Sequence, residues 1–91
     1  RNSPVKRTKR VGLQRNVCVA LGNIADPIAI PALRQSLMNA EALVRLHAAW
    51  ALGRIGTFEA DDALICALDS ELDVEVRAEI EQALMDDVGK V

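Results

Sequence analysis

The chain has few aromatic residues and no long apolar run. Among its 91 residues there is one Trp, one Phe and no Tyr, and alanine and leucine dominate instead. This composition favours closely packed helices and argues against a β-sandwich. No apolar run approaches the roughly 20 residues of a membrane span, and no apolar core follows the basic first ten residues as in a signal peptide. We therefore expect a small cytoplasmic helical domain without a membrane partner.

Residue patterns of catalytic and metal sites are also scarce. The two cysteines, Cys18 and Cys66, do not have the spacing of a metal or redox motif, so we expect two buried thiols in a reducing compartment. The chain has no Gly-rich phosphate loop, no nucleophile–base pair and no cluster of metal ligands. The sequence therefore predicts no catalytic residue and no metal site.

Apolar residues instead recur at helical spacing in three copies. In residues 43–55 they fall on one stripe of a helix, and the stripe begins at Val44. The same pattern begins 31 residues earlier at Leu13 and 32 residues later at Val76. The stripes are Leu13, Val17, Ala20, Leu21 and Ile24; Val44, Ala48, Ala51, Leu52 and Ile55; and Val76, Ile80, Ala83 and Leu84. A period of this length is typical of a helical solenoid.

Helix start and stop signals divide the repeats into about five helices, over 11–24, 27–38, 42–55, 58–68 and 73–86. Asp26 and Thr57 are predicted N-caps, and a short helix could begin at Ser3-Pro4, although Gly12 weakens it. We expect an all-α right-handed stack of antiparallel helix pairs, an α-solenoid. Its predicted parts are a basic segment over 1–10, one repeat domain over 11–86 and a frayed tail over 87–91.

Charge divides the chain into a basic and an acidic part. Residues 1–40 carry seven Lys/Arg and one Asp, whereas residues 41–91 carry four Lys/Arg and twelve Asp/Glu. A solvated arm and a set of phosphate contacts are both compatible with the basic cluster, and some of its residues could instead face another domain. The cluster consists of Lys6, Arg7, Lys9, Arg10 and Arg15.

A second group of polar residues lies on the flank of each stripe. At 100° per residue, His47, Trp50 and Arg54 point away from the stripe of their own helix. Trp50 could cover a neighbouring helix or could stack on a nucleobase, and His47 is expected to be a hydrogen-bonded polar residue. The corresponding positions are Asn16, Val19 and Asn23 in the first copy and Glu79, Gln82 and Asp86 in the last.

The copies resemble HEAT-like repeats of the phycobilisome-lyase type. Residues 43–53, Leu-Val-Arg-Leu-His-Ala-Ala-Trp-Ala-Leu-Gly, and residues 74–84, Val-Glu-Val-Arg-Ala-Glu-Ile-Glu-Gln-Ala-Leu, carry the Val-Arg-x-x-Ala-x-x-Ala-Leu core of that family, and Met85 replaces a glycine in the last copy. The resemblance implies that Arg45 and Arg77 tie one turn to the next, through Asn39 or Asp69. It implies a fold and no particular function.

Residues 3–23, with Arg-Asn followed by Ala-Leu-Gly-Asn, and the later Leu-His-Ala-Ala-Trp-Ala-Leu-Gly-Arg are similar to the C-terminal repeats of epoxyqueuosine reductases. That family uses cobalamin and two 4Fe–4S clusters to act on the anticodon loop of tRNA, and its repeat domain helps to hold the tRNA. This chain has no Cys-x-x-Cys-x-x-Cys run, so the resemblance implies a non-catalytic C-terminal piece without a cofactor of its own.

The partners implied are a tRNA anticodon stem-loop and the upstream catalytic domains, and a first helix without its neighbour could also dimerise. A generic protein-interaction solenoid is the alternative, and a scaffold for tetrapyrrole attachment ranks last. The candidate nucleic-acid-binding residues are Lys6, Arg7, Lys9, Arg10, Arg15, Asn16, Asn23, His47, Trp50 and Arg54.

Overall fold

A computed structural model describes residues 4–88, and it describes the side chains of residues 6–85. Five α-helices account for most of this range: α1 (Pro4–Ile24), α2 (Ile30–Ser36), α3 (Ala42–Ile55), α4 (Phe58–Ser70) and α5 (Val74–Val88). One 3-10 turn (Pro27–Ala29) precedes α2. The predicted all-α solenoid is confirmed, and the described residues contain no strand. None of these helices is long and apolar enough to cross a membrane.

The central helix of the molecule is α3. It packs along α1 on one side and along α5 on the other, and the shorter α2 and α4 cover it. Because α3 has neighbours on several sides, Val44, Ala48, Ala49, Ala51 and Leu52 are all completely buried. Small residues on α3 allow the long helices to approach closely: a Cβ on Gly53 would lie 2.7 Å from the Cβ of Ala83.

Short connections with side-chain caps separate the helices. The predicted caps are confirmed, since Asp26 accepts a hydrogen bond from the Ile28 amide at 2.9 Å and Thr57 accepts one from the Ala60 amide at 3.2 Å. The helices α1 and α3 are each followed by a residue with positive φ, Ala25 at 56° and Gly56 at 66°. Glycine adopts this conformation without the steric cost that alanine has.

The first helix differs from its prediction in length. It begins at Pro4 and continues through Gly12 without interruption, so the basic residues from Lys6 to Arg10 belong to it. A single glycine costs only about 1 kcal/mol in a helix, which does not break a helix of 21 residues. Ser3 and the end of the predicted tail lie outside the described residues, and the predicted domain boundaries stay a prediction.

The predicted buried stripe of α1 is wrong for four of its five residues, and only Leu21 is partly buried and packs against the core. Leu13 is 65% exposed, Val17 50% and Ile24 69%, and Ala20 is exposed as well. The reason is that, within the part of the chain that the structure describes, α3 is the one long helix that packs closely on α1, so a different face of α1 is covered. That face carries Val11, Cys18 and Gly22.

The cysteines also separate into two kinds. Cys18 is 1% exposed and belongs to the core, whereas Cys66 lies on the outer side of α4 and is exposed. The prediction of two buried thiols is therefore wrong for Cys66. Burial raises the pKa of the Cys18 thiol, and a hydrogen bond with Ser36 opposes the shift.

Candidate nucleic-acid interface

The flank of α3 that was predicted to point away from the core carries His47, Trp50 and Arg54, but Trp50 packs against the core. Trp50 is half-buried because its ring packs against the backbone of α1 at Gly22, where a Cβ would collide with Cζ3 of the ring. The Arg54 guanidinium lies 6.0 Å from the centre of the Trp50 ring, which is the distance of a cation–π contact. Trp50 thus covers a neighbouring helix, as one of the two interpretations predicted, and nucleobase stacking stays a prediction.

His47 is held by its own helix. Its Nδ1 lies 2.8 Å from the carbonyl oxygen of Leu43, and because a carbonyl only accepts, Nδ1 carries the proton and donates. The ring is half-buried, as expected for a hydrogen-bonded polar residue. No group of three or more His, Cys, Asp or Glu that could hold a metal ion occurs among the residues the structure describes.

The corresponding flank of α1 carries two exposed amides, Asn16 and Asn23. Arg15 donates from Nε and Nη2 to Oδ1 of Asn16, at 3.2 and 3.1 Å. The structure therefore brings Arg15 from the predicted basic cluster next to the polar flank. On α5 the same flank carries a half-buried Glu79 and an exposed Gln82, and the side chain of Asp86 lies outside the described range.

The remaining residues of the basic cluster lie on the first two turns of α1. Arg7 is engaged, because its guanidinium binds both carboxylate oxygens of Glu41 at 2.6–3.0 Å and joins α1 to the start of α3. Lys6, Lys9 and Arg10 are exposed. Of the five cations, then, Arg7 and Arg15 have the partners described above, and Lys9 and Arg10 are exposed on the first two turns of α1.

Arg45 forms the best-buried ion pair among the described residues. Its Nε and Nη2 donate to the two carboxylate oxygens of Glu71 at 2.9 and 3.0 Å, and its Nη1 donates to the carbonyl oxygens of Asn39 and Ala40. Side-chain exposure is 19% for Arg45 and 5% for Glu71. The arginine therefore ties the α2–α3 turn to the α4–α5 turn.

Arg77 repeats the backbone part of this arrangement one copy later. Its Nη1 donates to the carbonyl oxygens of Leu68 and Glu71 at 2.8 and 2.9 Å. The predicted structural role of both arginines is confirmed. The predicted partners need correction. Asn39 contributes its carbonyl group to Arg45, and the acid that binds Arg45 is Glu71 of the following turn. Arg77 binds the carbonyl oxygens of Leu68 and Glu71 instead of the side chain of Asp69.

Glu71 is the residue that the sequence interpretation missed. Burial alone would raise the pKa of its carboxyl group, but hydrogen bonds from Arg45 and from the Asp73 amide, together with the charge of Arg45, hold that pKa below its ordinary value. A signal was available, since Glu71 follows Asn39 by one repeat of 32 residues. Both side chains accept a hydrogen bond from the amide two residues further on.

Comparison with known proteins agrees with this architecture. The family model of HEAT repeats matches residues 7–85, so the chain belongs to the HEAT repeat family. It is 36% identical over 73 residues to the epoxyqueuosine reductase of Bacillus subtilis (strain 168) and 38% identical over 69 residues to that of Listeria monocytogenes serovar 1/2a (strain ATCC BAA-679 / EGD-e).

These matches cover 79% and 75% of the chain but only 19% and 18% of the two reductases. The chain thus spans about a fifth of the length of these curated relatives. It is also 41% identical over 70 residues to an uncharacterized protein in the gldA 3′ region of Geobacillus stearothermophilus, where the match covers 75% of the chain and 32% of that protein.

Proposed function

We propose that this chain is the HEAT-repeat part of a cytoplasmic epoxyqueuosine-reductase-like protein and that the basic end of α1 contacts the phosphates of a tRNA anticodon stem-loop. The observation that carries the proposal is the charge of α1, which has five Lys/Arg and no acidic residue over 21 residues. Lys6, Lys9 and Arg10 are exposed on its first turns. Exposed cations of this kind bind phosphates without reading base sequence.

The polar flank next to these cations would meet the bases. Asn16 and Asn23 on α1 and His47 on α3 offer hydrogen-bonding groups, and Arg54 is exposed beside the Trp50 ring. Stacking on an aromatic side chain contributes about 1–3 kcal/mol per base. Because one part of the Trp50 ring packs on Gly22, only the uncovered part of the ring would stack on a base.

Reductive chemistry in such a protein would belong to other parts of it. A 4Fe–4S cluster needs four cysteine ligands, whereas this chain has two cysteines, of which Cys18 is buried and Cys66 lies exposed on another helix. The residues present do not fit a cluster of this kind. We therefore assign binding and no catalytic step to this chain.

A titration of the chain with a tRNA anticodon stem-loop, followed by mobility shift at several salt concentrations, tests the proposal. The affinity should fall steeply with salt, with a logarithmic slope of about 0.7–0.9 for each phosphate contacted. The double variant Lys9→Glu/Arg10→Glu should lose binding and keep its far-UV circular dichroism spectrum. Absence of binding at low salt, or an affinity that does not depend on salt, would refute the proposal.

Arg34→Glu is the matched control for Lys9→Glu. Both substitutions change the net charge by the same amount at an exposed residue, but Arg34 lies on α2, where its nearest acid, Asp62, is 4.0 Å away. A surface effect of total charge alone would weaken binding equally in the two variants. Phosphate contact at α1 predicts a several-fold loss for Lys9→Glu and little change for Arg34→Glu.

A protein-interaction solenoid is the second candidate function. The observation that favours it is the exposed apolar face of α1 with Leu13, Val17 and Ile24. Binding through apolar contacts depends weakly on salt, so a protein ligand would be recognised by an affinity that Lys9→Glu/Arg10→Glu leaves unchanged.

A further inference from the structure

The exposed apolar residues of α1 form one continuous face, which we call the open face: Leu13, Val17, Ala20 and Ile24. They are spaced by four, three and four residues, so they lie along one side of the helix. Three of them are 50–69% exposed. A contiguous apolar face on a small domain is typical of a contact site. The equivalent faces of α3 and α5 show which kind of partner fits such a face.

The same face is covered in the other two repeats. Val44, Ala48 and Ala51 occupy the corresponding positions on α3 and are 0% exposed, and Val76, Ile80 and Ala83 on α5 are 0–3% exposed. In both cases the preceding long helix places a glycine against the alanine. A Cβ on Gly22 would lie 3.0 Å from Cα of Ala51, and a Cβ on Gly53 would lie 2.7 Å from Cβ of Ala83.

Ala20 is the residue of α1 that corresponds to Ala51 and Ala83, one repeat of 31 residues before Ala51. It is exposed, and among the described residues no glycine lies against it. The open face thus has the residue types of a packed repeat interface and lacks the helix that covers the equivalent faces of α3 and α5.

The other end of the stack has the opposite character. The face of α3 that contacts α5 includes Ala49 and Gly53, both buried. One repeat of 32 residues later, α5 has Glu81 and Met85 at these positions, and both are exposed. A charged residue and a long side chain at these positions would prevent the close approach that Gly53 allows, so this face of α5, which we call the closed face, lacks the residue types of the packed interfaces.

We propose that the open face of α1 is a docking site for one further HEAT-type helical unit, whose long helix lies alongside α1 and places a glycine or alanine against Ala20. A second copy of this chain stacked head-to-tail does not meet this requirement. Its α5 would bring Glu81 and Met85 against the open face, which would bury a charge without a partner.

A tandem chain tests the proposal in the molecule itself. A second copy of residues 11–41 is inserted before Val11, so that Glu41 continues into Val11 as it normally continues into Ala42. In the tandem chain, Gly22 on the α1 of the first copy then lies against Ala20 on the α1 of the second copy. We expect one cooperative urea transition, a larger denaturant slope because more surface is buried, and a midpoint raised by about 1 M.

Two variants of the tandem chain make the result specific. Ala20→Glu should leave the midpoint of the single chain nearly unchanged, because Ala20 is exposed there, but in the second copy of the tandem chain it should remove most of the gain. Cys18→Glu with Gly22→Met in the first copy reproduces the closed face of α5 and should have the same effect. An unchanged midpoint, two separate transitions, or an equal response of the single and tandem chains to Ala20→Glu would overturn the proposal.

The oligomeric state of the single chain is a second test of the proposal. Sedimentation should show a monomer at micromolar concentration. A dimer that dissociates on Ala20→Glu would mean that a second copy occupies the open face, which contradicts the proposed occupant. Neither test involves RNA, Lys9 or Arg10, so the outcomes of both tests are independent of the proposed function.

Discussion

Replacement of Arg45 by Met should be the most destabilising single change of a charged side chain in this chain. Arg45 makes four hydrogen bonds, two to the Glu71 carboxylate and two to backbone carbonyls of the α2–α3 turn. Methionine retains an aliphatic chain but cannot donate. The carboxylate of Glu71, with a side chain that is 5% exposed, is then left with the Asp73 amide as its hydrogen-bond donor.

The size of the effect follows from this burial. Removing one partner of a buried ion pair costs about 3–5 kcal/mol, whereas domains of this size are stable by only about 5–10 kcal/mol. We therefore expect Arg45→Met to lose roughly half of the free energy of unfolding. Urea unfolding followed by circular dichroism at pH 7 gives this difference directly.

The pH dependence of the loss identifies Glu71 as its cause. In the natural chain the pKa of Glu71 is lowered, so its contribution is present at neutral pH and is lost as the pH falls through the lowered pKa. In Arg45→Met, burial dominates and raises the pKa, so protonation on acidification relieves the unpaired charge. The difference between the two proteins should therefore shrink as the pH falls.

Arg34→Met is the control, because the Arg34–Asp62 pair is 4.0 Å long and its side chains are 46% and 70% exposed. Such a surface pair contributes at most about 0.5–1 kcal/mol. A loss for Arg45→Met no larger than that of Arg34→Met, or a loss that is the same at pH 7 and pH 3.5, would refute the reasoning.

The remaining predictions concern three backbone positions and the two thiols. Gly12→Ala should raise the free energy of unfolding by about 0.5–1 kcal/mol, because no atom lies within 4 Å of the added Cβ, whereas Gly53→Ala should lower it by about 1–3 kcal/mol through overpacking against α5. Ala25→Gly should raise it by about 1 kcal/mol, because the residue has a φ of 56° that favours glycine; urea unfolding measures all three. Ellman's reagent should modify Cys66 at once in the native chain, but Cys18 only on unfolding; rapid modification of both thiols would contradict this assignment.

How much of the fold could be predicted depended on where each helix lies in the stack. The bounds of α3 were predicted correctly as 42–55, and the stripe from Val44 to Leu52 is buried. This helix has a clear stop signal in Gly56, which has a φ of 66°. The burial of Ala49 and Gly53 was not predicted, because a single stripe does not reveal that a helix has neighbours on two sides.

For most of the α1 stripe, the sequence predicted burial that the structure does not show. The residues of this stripe match the repeat as well as those of α3 do, but a pattern records which face is apolar and does not record whether a partner is present. The face that is buried, with Cys18 and Gly22, is short of large apolar side chains and gave little signal. Sequence periodicity therefore predicted the helix and assigned its core to the wrong side.

The candidate site was predictable in its residue types and not in their contacts. Wheel arithmetic separated His47, Trp50 and Arg54 from the core of α3, but only the structure shows that His47 bonds to Leu43 and that Arg54 lies over Trp50. The pairing of Arg7 with Glu41 joins residues far apart in sequence. No local pattern predicts such a pair.

These contacts divide the proposed RNA surface into two parts with different physical properties. His47, Trp50 and Arg54 are held in place by α3 and by the contact with Gly22, so they form a prepared surface that loses little conformational freedom on binding. Lys9 and Arg10 are long exposed side chains that attract phosphates over the Debye length. If both parts bind RNA, substitutions at α1 should change the salt dependence and the association rate. Substitutions on α3 should instead change the dissociation rate at constant salt dependence, because contacts formed only in the complex act mainly on its lifetime.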